Sequence, residues 1–173
     1  MKNPNQIVLS IGSNKGDRLS YINRCIELIH TTIAPVIQVS KVYKTPSWGF
    51  KADDFYNCAL WICSDKTPQE LLTALKQIEE KLGRTHKTTK EYQSREIDID
   101  IVYYGSEVIA QKDLTIPHPH MQDRLFVLKP MADLQIDIIH PLLNKSVQQL
   151  TETTTDTSSI EIVCDLNIPF AEN

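Results

Sequence analysis

The apolar residues of this chain change their spacing twice in the same order, and that order leaves few folds open. Ile7 to Ile11 is a short apolar run ended by Gly12-Ser13-Asn14, the pattern of a strand and its turn. From Asp17 the period lengthens. Leu19, Ile22, Ile26, Ile29 and Ile33 recur at steps of three and four, which predicts an amphipathic helix capped by Asp17. Pro35 then opens a second strand through Val36, Ile37, Val39, Val42 and Tyr43. Phe55 to Cys63 is a third strand, mostly apolar on both faces and therefore central. Thr67-Pro68-Gln69-Glu70 starts a second helix: Thr67 caps, Pro68 takes the first helical position and Glu70 closes a capping box. Leu71, Leu75, Ile78 and Leu82 form its apolar stripe, and Gly83 is the expected stop. Ile97 to Tyr104 is a fourth strand, ended by Gly105. Strand-helix-strand, given twice, predicts an α+β ferredoxin-like sandwich. Its antiparallel sheet has at least four strands, with helices on one face and the opposite face open for a site.

The repeat is one of structure, with no matching repeat of sequence. Beyond it lie a proline-bounded loop (Pro117-His118-Pro119-His120) and a helix near Leu125 to Leu134. The Thr/Ser-rich run Thr151 to Ser159 reads as a loose linker, and Ile160 to Cys164 as an added edge strand. A length of 173 residues suits one domain, 1–173, with 151–173 as a loosely attached C-terminal extension.

A formal net charge of -4 argues against a general nucleic-acid binder. A local basic cluster is nevertheless present: Lys81, Arg84, Lys87, Lys90 and Arg95, with His86 among them. Cys25, Cys58, Cys63 and Cys164 include no CxxC pair and read as small buried residues of a reducing compartment. The start lacks the apolar stretch of a signal peptide, and no apolar run reaches the length of a membrane span. These features lead us to expect a cytoplasmic protein.

Asp98 and Asp100 are the sharpest chemical feature. In Ile97-Asp98-Ile99-Asp100-Ile101 a period of two puts both carboxylates on one face and the isoleucines on the other. Two like charges side by side on a strand repel. A divalent cation relieves that repulsion, and carboxylate and phosphate oxygens together suit magnesium. A solvated strand face is the plainer alternative, but the cations of the preceding loop favour a phosphate-bearing ligand. Glu79 lies one step from the apolar stripe of its helix and, from the helix period alone, reads as a surface residue. Gly12 to Gly16 fails the spacing of a phosphate loop and reads as a structural turn. His118 and His120 lack an evident third ligand for zinc. The loop from Tyr43 to Phe50, followed by Phe55-Tyr56-Asn57, offers flat aromatic rings and an amide. Either it binds a planar heterocycle with amide-like edges or it covers the core.

Taken in order, Leu9-Ser10-Ile11-Gly12-Ser13-Asn14, Tyr43-Lys44-Thr45-Pro46, Phe55-Tyr56-Asn57, Arg95 to Ile101, and Pro117-His118 through Met121, Arg124 and Phe126 resemble the 6-hydroxymethyl-7,8-dihydropterin pyrophosphokinases of folate synthesis. The resemblance spans roughly residues 7 to 135. It implies transfer of pyrophosphate from ATP to the pterin hydroxymethyl group with release of AMP. It implies two magnesium ions held by Asp98 and Asp100, with Arg84, Arg95, His118 and Arg124 on the phosphates. Glu79, Lys90, Ile101 and Thr115 fall at the family's ATP site. Thr45, Pro46, Ser47 and Trp48 match its pterin wall, Phe55 and Phe126 the rings that sandwich the pterin, and Asn57 the residue bonding its edge. Tyr92-Gln93-Ser94 departs from the Trp-Gly-Pro common in the family, and Pro119 replaces a frequent tyrosine. The implied partners are small molecules only, with no nucleic acid, membrane or obligate protein. Two rivals are a kinase of the same fold that releases ADP and an ATP-binding regulatory module.

Overall fold

In a computed structural model of the chain, residues 4–47, 52–84 and 94–166 are described. Strand β1 (Asn5–Ser13) runs into helix α1 (Arg18–Thr32), whose cap Asp17 accepts a hydrogen bond from the Ser20 amide at 3.0 Å. The second predicted strand is two strands, β2 (Val36–Val39) and β3 (Val42–Thr45). The cause is Ser40. Its amide donates to Ala59 O, and its hydroxyl accepts from Ala59 N at 2.8 Å. A side-chain oxygen has replaced a backbone carbonyl in the ladder, and the strand breaks there.

Strand β4 (Phe55–Ser64) lies between β1 and the β2/β3 pair, as its two apolar faces predict. Helix α2 (Pro68–Lys81) begins with the full capping box of Thr67 and Glu70, a device of about 1 kcal/mol. It ends before Gly83, at φ +98°, where a side chain would be strained. Strand β5 (Asp98–Tyr104) pairs antiparallel with β1. A short hairpin, β6 (Ile109–Gln111) and β7 (Leu114–Ile116), leads through a turn at Met121–Asp123 to helix α3 (Leu125–Asp133).

Helix α4 (Val147–Thr153) was not expected. It takes the first three residues of the run expected to be a linker, and its own capping box of Ser146 and Gln149 starts it. Strand β8 (Glu161–Cys164) pairs with β3 as the expected edge strand, giving the order β5-β1-β4-β3-β8. The sheet is antiparallel, and the fold is α+β and ferredoxin-like, as expected.

Alternation sorts the side chains. Ile7, Leu9, Ile11, Leu60, Ile62, Ile99 and Ile101 join Ile22, Ile29, Leu71 and Leu75 of α1 and α2 in one core. On the other face Val8, Ala59, Val102 and Tyr103 pack with Val127, Leu128 and Met131 of α3 and Leu150 of α4. A bulge opposite Val8/Leu9 admits Val102 as an extra residue, so Val102 and Tyr103 both reach this second core.

Candidate active site

The second face is apolar only where α3 and α4 cover it. One or two residues farther along each strand it turns polar. Ser10 and Gly12 of β1, Asn57 and Phe55 of β4, and Asp98 and Asp100 of β5 line a cavity of about 300 Å³. Register sets the arrangement: Gly12 lies opposite Asp98 on one side and Asn57 on the other, and Ser10 lies opposite Asp100. Thr45 and Pro46 close the β3 side, while Arg124 and Phe126 come from the start of α3. Arg95, His118, Pro119 and His120 complete the lining.

The acidic side is held by arginines. Asp98 Oδ1 accepts from Arg84 and Oδ2 from Arg95, each at 2.5 Å. Asp100 keeps 47% of its side-chain surface open and lies 4.0 Å from His118 Nε2. Recession into the cleft first, and the charge of Asp98 second, push the Asp100 carboxyl up to about 8. His118 is driven the other way, down to about 4, by burial and then by the Arg124 charge. It is therefore a neutral imidazole near pH 7, able to donate one hydrogen bond rather than a full charge.

These carboxylates fit a divalent cation. They are hard oxygen donors, two residues apart on one face, and their mutual crowding is what a cation relieves. Among the described residues no three His, Cys, Asp or Glu side chains gather as a ligand set. A cation held by Asp98 and Asp100 would draw its remaining ligands from phosphate oxygens and water, the usual habit of magnesium.

The aromatic side is equally ordered. Asn57 is 3% exposed and donates to Thr45 Oγ1 at 2.7 Å, which turns its amide oxygen toward Gly12. A Cβ at Gly12 would stand 3.0 Å from that oxygen and 3.5 Å from the Phe55 ring. Glycine thus keeps the floor between amide and carboxylates clear. The Arg124 guanidinium lies 5.7 Å from the centre of the Phe126 ring.

Glu79 is not the surface residue that the helix period suggested. It is 4% exposed, because β5 is an edge strand whose Ile99 amide needs an acceptor, and Glu79 supplies it at 2.7 Å. It also accepts from Arg84. Burial first and the Asp98 charge second raise its carboxyl to about 7, against the pull of Arg84. The turn at Gly12–Gly16 does more than reverse the chain. Buried Asn14 accepts from the Arg95 amide at 2.7 Å and donates to Asp53 O and Ser94 Oγ, joining three segments around the site.

Of the residues expected in the site, Thr45, Pro46, Phe55, Asn57, Arg95, Asp98, Asp100, His118, Arg124 and Phe126 line the cavity together. Arg84 reaches it through Asp98, and Glu79 lies behind Arg84. Ile101 points into the α1/α2 core, Thr115 is exposed on β7, and Ser47 bonds Ala52 across its own loop. Trp48 and Lys90, with His86, Lys87 and Tyr92, lie outside the described residues. Ser10, Gly12, Pro119 and His120 also line the cavity, though none was among the residues expected there. The alternation of β1 pointed to the first two, since Ser10 and Gly12 share a face that its isoleucines avoid.

Comparison with known proteins gives a consistent answer. The model of the family "7,8-dihydro-6-hydroxymethylpterin-pyrophosphokinase (HPPK)" matches residues 8–136. The chain is 37% identical over 150 residues to the 2-amino-4-hydroxy-6-hydroxymethyldihydropteridine pyrophosphokinase of Aquifex aeolicus, covering 86% of this chain and 92% of that one. It is 36% identical to the folic acid synthesis protein fol1 of Pneumocystis carinii, covering 87% of this chain but only 20% of that longer protein. Among solved structures, wild-type HPPK-DHPS of Plasmodium falciparum superposes with a TM-score of 0.70 at 16% identity, over 87% of this chain and 45% of that one. That last likeness speaks for the fold alone.

Proposed function

The chain belongs to the 7,8-dihydro-6-hydroxymethylpterin-pyrophosphokinase family, and from that membership we propose that it transfers pyrophosphate from magnesium-bound ATP to the hydroxymethyl group of 6-hydroxymethyl-7,8-dihydropterin in folate synthesis, releasing AMP. One observation carries the reading for this chain's own residues. The carboxylates of Asp98 and Asp100, flanked by Arg95, face the same cavity as the Phe55 and Phe126 rings and the Asn57 amide. A phosphate end and a heterocycle end share one space.

In this reading the pterin stacks between Phe55 and Phe126, with its edge on Asn57 and against Thr45 and Pro46. Its hydroxymethyl oxygen attacks the β-phosphorus. A new O–P bond forms, the bond from the α-phosphate bridge to the β-phosphorus breaks, and AMP leaves as the hydroxyl proton is lost. Two magnesium ions held by Asp98 and Asp100 would neutralise charge on the triphosphate and acidify the attacking alcohol. Arg84, Arg95 and Arg124 fork onto phosphate oxygens, and His118 donates a hydrogen bond there. Glu79 serves the ATP side through Arg84, and the family resemblance assigns Lys90 and Thr115 to that side, whereas Ile101 turns its side chain into the α1/α2 core. Holding both substrates in line is the larger part of the rate gain, because the reaction needs little covalent chemistry from the protein.

We take residues 1–173 as a single pyrophosphokinase domain with 151–173 as its extension, acting in the cytoplasm on small molecules without nucleic acid, membrane or obligate protein partner. None of the described helices is long and apolar enough to cross a membrane. The test is a nucleotide-product assay with ATP, magnesium and the hydroxymethyl-dihydropterin. Pterin-dependent AMP without ADP is expected. ADP points instead to γ-phosphoryl transfer, and ATP binding without turnover to a regulatory module.

A further inference from the structure

The family match ends at residue 136, yet the chain beyond it returns to the site twice. After α4, the Asp156 carboxylate comes back to the start of α3. Its Oδ2 accepts from the Leu125 amide at 2.9 Å, across 31 residues. Its Oδ1 is held by the Ser158 amide at 2.9 Å and by the Ser158 hydroxyl. Leu125 is the first residue of α3 and stands between Arg124 and Phe126, both of which line the cavity.

A helix start needs acceptors for its first amides. The residue at the cap position here is Arg124, and a guanidinium carries donors only. The sequence before α3 therefore offers no local cap, and a carboxylate from the C-terminal segment supplies it. The negative charge also complements the positive end of the nine-residue helix. The second return is β8, which pairs with β3 through Val42–Cys164, Tyr43–Ile162 and Lys44–Glu161, the last reinforced by an exposed ion pair of 2.7 Å. Strand β3 ends at Thr45, on the opposite wall of the same cavity.

We infer that the segment 154–164 is a brace for the heterocycle end of the site, and that Asp156 is a positioning residue that fixes Phe126 and Arg124 through the Leu125 amide before substrate arrives. Without it the first turn of α3 frays, and Arg124 and Phe126 lose their fixed places in the cavity wall. The inference rests on the proposed pterin site, and the experiment separates the two.

Asp156→Ala is compared with Asp156→Asn, whose amide oxygen still accepts from Leu125. KM for the pterin, kcat, pterin affinity by fluorescence and hydrogen exchange at the Leu125 amide are measured below the melting temperature of each variant. Asp156→Ala is expected to raise pterin KM and Kd about fivefold, the size of a lost helix cap, with kcat within about twofold. Leu125 exchange accelerates in parallel, and Asp156→Asn restores all three in part, because its one oxygen can serve Leu125 while its NH2 gives up the Ser158 amide. A lowered melting temperature with KM and Kd unchanged overturns the inference, because a brace serving stability alone behaves that way. If Asp156→Ala melts too low to assay, Ser158→Ala tests the same arm by loosening the Asp156 carboxylate, and an unchanged pterin Kd there is equally fatal. Wild-type protein that neither binds the pterin nor makes AMP refutes the pterin site itself, whatever the variants do.

Discussion

The two faces of one sheet make opposite use of the same three strands. On the α1/α2 face the central inward residues of β1, β4 and β5 are apolar, from Ile7, Leu9 and Ile11 to Ile99 and Ile101, with buried Ser13 and Ser64 at the strand ends. On the other face β1 and β5 change character at Ser10 and Asp100, and β4 one step later at Asn57. Val8, Trp61 and Tyr103 form one apolar row beside α3, whereas Ser10 with Asp100, two residues farther along β1, and Gly12 with Asn57 and Asp98, four residues along, line the open cavity with polar groups. The changeover marks where the helical cover stops. Under α3 an aspartate would lose its water, whereas beyond α3 it can meet ligand and solvent. The lesson is that the cavity is the uncovered remainder of a core face, floored by rigid strands rather than loops, and such floors hold ligands with precision.

The strongest way to break this comparison is Asp100→Ala. If the polar row serves chemistry rather than folding, AMP formation falls on the order of a hundredfold or more, the size of a lost electrostatic contact to the transition state. Stability holds or rises, since the variant removes a carboxyl that burial first and the Asp98 charge second hold in an unfavourable place. An unchanged rate at saturating magnesium contradicts the assignment.

A smaller effect sharpens the floor of the cavity. Gly12→Ala places a methyl 3.0 Å from Asn57 Oδ1 and 3.5 Å from the Phe55 ring. Pterin KM is expected to rise about tenfold with little change in melting temperature. A pterin KM equal to wild type means that the heterocycle does not lie over Gly12.

The smallest effect concerns Glu79, the polar exception behind the apolar face. Its folded-state carboxyl, at about 7, holds its proton more tightly than the ordinary 4.5. A group raised in this way stabilises the fold while protonated. That contribution is complete below about pH 4.5 and lost as pH rises to about 7. In metal-free buffer, wild-type stability should therefore decline relative to Glu79→Gln across that window. Denaturant midpoints of the two proteins that run parallel with pH rule this out.

Much of the fold was legible because its signals are local. The capping box of α2, its apolar stripe and the stop at Gly83 depend on neighbours within one or two turns. Other features escaped because their partner is distant in sequence. The break at Ser40 needs Ala59, the burial of Glu79 needs Ile99, and the cap on α3 needs Asp156. Helix α4 is a different case, since its Ser146-to-Gln149 capping box was open to reading and was masked by the threonines that follow.

The candidate site divides along the same line. From the alternation Ile97 to Ile101 the amino-acid order alone determined that two carboxylates share one face, because side chains on a strand alternate whatever the strand packs against. Only the tertiary structure decided what stands opposite them. The β1–β4 and β1–β5 registers set Gly12 and Asn57 in line with Asp98, and the end of α3 decided how much of that face stays open. Register and helix cover depend on the burial of the other face by α1 and α2, a contact between residues far apart in the chain that no local pattern contains.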